Sequence, residues 1–71
     1  MDPQELVPVA AYRDTAQAEI VRNALEAEGI RASVEGPHQG GLPGALEARV
    51  FVQAADAERA RAFIQEHEPG G

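Results

Sequence analysis

The first apolar stretch, Leu6-Val7-Pro8-Val9-Ala10-Ala11-Tyr12, is partly β-branched and predicts a strand from about Glu5 to Arg13. Pro8 has no N–H to give to a ladder, so this strand belongs at a sheet edge. Asp14-Thr15-Ala16-Gln17 follows, a carboxylate cap with a glutamine three positions on, which is the capping-box pattern. Behind it Ala18, Val21, Ala24 and Leu25 recur at helical spacing with Ile20 flanking, while Glu19, Arg22, Asn23 and Glu26 fall on other faces. Gly29 ends the helix, because a left-handed residue there closes it at low cost.

Ile30-Arg31-Ala32-Ser33-Val34-Glu35 alternates with period two, so Ile30, Ala32 and Val34 share one buried face and the opposite face is wet. Gly36 to Gly44 holds four glycines and two prolines and reads as a loop. A strand resumes from Glu47 to Gln53, with Val50 and Val52 facing one way and Arg49 and Phe51 the other. Asp56 is placed to cap a second helix running to about His67, whose apolar stripe is Ala57, Ala60, Phe63 and Ile64. Residues 68–71 are expected to form a flexible tail. Ala18-Glu19-x-x-Arg22-x-x-Leu25 is echoed by Ala57-Glu58-x-x-Arg61-x-x-Ile64, which fits either an old duplication or two amphipathic helices of similar composition.

The order is therefore β-α-β-β-α. A right-handed crossover in the first β-α-β unit leaves a gap into which the third strand folds back. The predicted fold is α+β, a ferredoxin-like two-layer sandwich: a three-stranded antiparallel sheet in order 1-3-2 with both helices on one face. One domain spans residues 1–71, with its ordered core at about 5–67.

Length limits that core. The chain has 71 residues, of which fourteen are alanine and three aromatic, and a domain of about 60 residues buries only about 60% of its unfolded surface. Tight helix–sheet packing or self-association has to make up the difference. The uncovered sheet face and the edge of the first strand leave room for a weak homodimer, which Pro8 opposes.

Twelve acidic residues against six arginines give a formal charge of −6. That balance argues against a nucleic-acid partner, whose phosphates call for basic groups, and against an anionic membrane surface. No apolar run approaches the ~20 residues of a membrane span. The opening Met1-Asp2-Pro3-Gln4-Glu5 lacks the basic start of a signal peptide, and a cytoplasmic location is expected.

Candidate chemistry is sparse. The chain has no cysteine and no lysine, which excludes thiol nucleophiles, thiolate metal sites, Schiff-base chemistry and a phosphate-loop lysine. Gly36, Gly40, Gly41 and Gly44, with His38 and Leu42, form a connection that could contact a ligand through its N–H groups. It matches neither nucleotide fingerprint, and a plain hairpin connection explains it as well. His38 near Glu35 and Glu47 would be the centre of any acid–base or metal-assisted chemistry, although it lacks ligand spacing. His67 lies in the last helical turn, where a cation meets the helix dipole. Gly70-Gly71 is shared with ubiquitin-like carriers, which reach their diglycine through a strand rather than a helix. On the sheet face away from the helices Phe51, and Tyr12 with it, would project among Arg31, Ser33 and Arg49. An aromatic among arginines on an acidic protein points to a contact surface, and scattered exposed apolar residues explain it equally well.

The strand before Asp14, Ala18-Glu19, the run Leu25-Glu26-Ala27-Glu28-Gly29-Ile30, the glycine-rich linker, Val50-Phe51-Val52 and Asp56-Ala57-Glu58-x-Ala60 together carry a resemblance. Over roughly Val7 to Glu66 the chain resembles the small prokaryotic putative signal-transducing proteins of unknown function, grouped with the PII (GlnB-like) fold. The resemblance implies a ferredoxin-like fold and no established catalytic residues. PII proteins carry their effector loop between strands 2 and 3, the position of residues 36–46 here. This loop is far shorter, has no tyrosine to modify and has no lysines for a phosphate, so nucleotide and 2-oxoglutarate binding do not carry over. The expectation is a non-catalytic module without cofactor or metal, sensing a small molecule or binding a protein through the loop and the open face.

Overall fold

A computed structural model describes residues 2–36 and 47–67. The chain runs through β1 (Leu6–Tyr12), α1 (Thr15–Ala27), β2 (Ala32–Glu35), β3 (Ala48–Gln53), a 3₁₀ turn at Ala54–Asp56 and α2 (Ala57–His67). The sheet is antiparallel in the order β1-β3-β2, and this is the expected α+β, ferredoxin-like sandwich. The last strand in sequence lies in the middle, so among the described residues both its neighbours are edges.

Capping and burial explain why α1 forms where it does. Asp14 is extended (φ −105°, ψ 121°), and its Oδ1 accepts from the Ala16 N–H at 2.9 Å. Gln17 lines a groove between the helices instead of completing a capping box. Ala18 and Leu25 are wholly buried. On the wet side Arg22 sits between Glu19 (2.8 Å) and Glu26 (3.2 Å), and the hydrogen bond it donates to the Glu19 carboxylate raises its pKa above the ordinary arginine value.

The helix ends in a Schellman motif. Ile30 N–H donates to Leu25 C=O and Gly29 N–H to Glu26 C=O, both at 3.0 Å, with Gly29 at φ +87°. Leu25 and Ile30, the apolar pair that accompanies this motif, are both fully buried. Arg59 Nη2 from α2 donates to Glu28 C=O at 2.7 Å, placing a cation on the negative end of α1.

The second helix starts differently from expectation. Asp56 closes the 3₁₀ turn, which continues directly into α2, so no extended cap residue separates the two. The turn is held to the start of the chain by Ala54 N–H to Glu5 C=O (2.7 Å) and Ala55 N–H to Pro3 C=O (3.0 Å).

The core lies between β3 and the helices. Ala48, Val50 and Val52 have no exposure and face Ala18, Leu25, Ile30, Ala57, Ala60 and Ile64. Alanine on both layers lets backbones approach closely, which is how a chain with few large side chains fills its interior.

β1 carries a register shift between Pro8 and Ala10. Before it Val7 pairs with Val52 and Pro8 with Phe51; after it Ala10 pairs with Val50, Ala11 with Arg49 and Tyr12 with Ala48. Tyr12 therefore packs on the core side and not on the open face, contrary to the simple alternation. One extra residue reverses the facing of everything that follows. A bulge also suits Pro8, which has no hydrogen to offer.

Candidate functional site

The open face of the sheet is organised in cross-strand rows. Pro8, Phe51 and Ser33 form the middle row, and Ala11, Arg49 and Glu35 the row toward the 36–47 connection. Leu6 pairs with Gln53 at the other end, and Arg31 lies one residue before the paired stretch of β2. Three of the expected positions, Ser33, Arg49 and Phe51, are thus brought onto one surface, with Arg31 beside them.

A shallow depression of about 290 Å³ opens here, lined by Leu6, Glu26, Arg31, Ala32, Ser33, Phe51 and Gln53. Its floor is mixed. Phe51 is half-buried, Leu6 is 54% exposed, and Ser33, Arg31 and Gln53 supply polar edges. Among the described residues neither Arg31 nor Arg49 forms an ion pair, while Arg22 on α1 forms two. Unpaired guanidinium groups next to an aromatic ring offer planar donors and an apolar seat together.

Sequence reasoning missed Leu6, Gln53 and Glu26 at this depression. The alternation Leu6-Val7-Pro8 already carried the signal for Leu6, since Val7 faces the core. Glu26 reaches it from the end of α1, which no strand pattern reports.

The other candidates divide by position. Gly36 is half-buried just after β2, and Glu35 and Glu47 are exposed. His38, Gly40, Gly41, Leu42 and Gly44 lie outside the described residues, as do Gly70 and Gly71. Among the described residues no three of His, Cys, Asp and Glu gather as a metal site, and no helix is long and apolar enough to cross a membrane. His67 stacks on Phe63 (centroids 4.1 Å apart) and its Nδ1 lies 2.8 Å from the Phe63 carbonyl, to which it donates. This pair borders a groove of about 110 Å³ between α1 and α2 that also includes Ile20, 62% exposed.

No curated protein and no solved structure matches the chain. The family model described as "putative prokaryotic signal transducing protein" matches residues 7–68. That span begins in β1 and passes the end of α2, and the motif Leu25 to Ile30 inside it is the Schellman closure of α1. The chain belongs to this family of prokaryotic proteins to which signal transduction is ascribed.

Proposed function

We propose that this domain is a non-catalytic regulatory module that binds an anionic small molecule or an acidic, partly apolar protein segment through its open sheet face. The observation that carries the reading is Phe51 set between Arg31 and Arg49, two cations that form no ion pair among the described residues, on a chain of net charge −6. The 36–46 connection joins β2 to β3 at one end of that face and is proposed as part of the same contact, although residues 37–46 lie outside the described residues. The family description supports a signalling role, and the stock of nucleophiles and general bases is too thin to favour catalysis.

Titration of ¹⁵N-labelled protein with anionic metabolites and with fractionated prokaryotic lysate tests this. Backbone resonances of 6–11, 31–36 and 49–53 are expected to move together, and Arg49→Glu is expected to abolish the movement. Shifts confined to 15–27 and 57–67 would place the binding surface on the helices and overturn the reading.

A further inference from the structure

The two edges of this sheet are not equivalent. β1 carries Pro8 and a bulge on its length, and the 3₁₀ turn is bonded to the segment that leads into it. These are devices that keep other strands away. β2 carries neither a proline nor a bulge: Ala32–Glu35 pairs regularly with β3 on one side, and pairs with no other strand among the described residues. Its outer row of N–H and C=O groups is a template for one more strand.

The sequence of that edge is complementary to itself. In an antiparallel pair of two β2 strands, opposed residues share a face, so only registers that match odd with odd positions keep core side with core side. Centring the pair on Ser33 sets Arg31 opposite Glu35 of the second copy, twice by symmetry, and Ala32 opposite Val34. Moving the centre to Ala32 or Val34 sets Ser33 against Arg31 or Glu35 and loses both charge pairs. At the Ser33 centre two small hydroxyls meet on the axis.

We propose that a second copy of this chain docks on β2, forming an antiparallel two-fold pair centred on Ser33 and a continuous six-stranded sheet. The middle row of its open face then reads Pro8, Phe51, Ser33 and the same three in reverse. The neighbouring row alternates in sign, from Arg49 through Glu35 to Arg31 of the second copy. A four-residue strand buries less surface than a typical stable interface, so the dimer is weak and concentration-dependent. This inference concerns the edge and not the partner proposed for the face, and it is tested without any ligand.

A chain without cysteine makes the test direct. Ca. 4.5–5.5 Å separates Cα atoms across an antiparallel pair, within disulfide reach. Ser33→Cys should therefore yield a covalent dimer on mild oxidation, whereas Ala11→Cys, on the same face but at the β1 end, should stay monomeric. Sedimentation gives a second readout. Arg31→Glu and Glu35→Arg each turn two attractive pairs into repulsive ones and should weaken self-association about tenfold. An equal mixture of the two variants should restore it, because every cross-pair is then opposite in sign. Failure of Ser33→Cys to cross-link, equal cross-linking by Ala11→Cys, or a mixture no stronger than its components would each overturn the proposal.

Discussion

Gly29 shows how one residue fixes the path of the chain. At φ +87° it lets Ile30 N–H turn back to Leu25 C=O and sends the chain from α1 into β2. A Cβ at Gly29 would meet only Arg59 Nη2, at 4.0 Å, so any penalty for alanine comes from the backbone and not from collision. Gly29→Ala is expected to cost about 1–2 kcal/mol, the ordinary penalty for an L-residue held in the left-handed region, read as a lower midpoint in urea. An unchanged midpoint would mean that the turn relaxes to another conformation. Asp14→Ala removes the single side-chain bond to the first turn and should cost about 1 kcal/mol in the same assay. Both signals were open to the sequence, because glycine and aspartate at helix ends act through local geometry alone.

β3 is the element on which the two layers divide, and adjacent residues along it have opposite duties. Val52 is fully buried and Phe51 half-buried on the open face. Val52→Ala deletes two buried methyl groups and should cost about 2 kcal/mol, from about 0.8 kcal/mol per group plus the void left behind. Phe51→Ser should cost less than Val52→Ala although it removes a larger side chain; calorimetry on both variants decides the order, and a costlier Phe51→Ser would show the ring to be part of the core. The alternation of β2 and β3 was legible because period two survives in a regular ladder. β1 was not, since the bulge after Pro8 inserts a residue that hydropathy cannot register, and Tyr12 consequently faces the helices. The start of α2 was misread for a related reason: the 3₁₀ turn at Ala54–Asp56 depends on bonds to Pro3 and Glu5, fifty residues away in sequence. Such long-range bonds leave no local pattern.

For the whole molecule the distribution of charge matters more than its sum. The chain is acidic overall, yet its open face presents Arg31 and Arg49 beside Glu35, with Glu26 at the depression, while the helices carry Glu19, Glu26, Glu58 and Glu66 alongside Arg22, Arg59 and Arg61. The rows of that face and the central place of β3 were readable from the strand pattern, whereas the bulge that marks the β1 edge, and with it the contrast between the two edges, is read only in the ladder itself. An anionic ligand seated on the sheet face gains from Arg31 and Arg49, so its affinity depends on how far those charges are screened. Raising salt from about 0.05 M to about 0.3 M shortens the screening length well below the thickness of the domain and should weaken binding at the sheet face. Arg49→Gln should lower affinity at low salt and flatten this salt dependence, with little effect on stability because the side chain is exposed and unpaired among the described residues. Titrations at both salt concentrations, on the native chain and on Arg49→Gln, separate the alternatives. A ligand that binds more tightly as salt rises, or whose salt dependence survives Arg49→Gln unchanged, does not rely on Arg49 and leaves the sheet face without the role in recognition assigned to it.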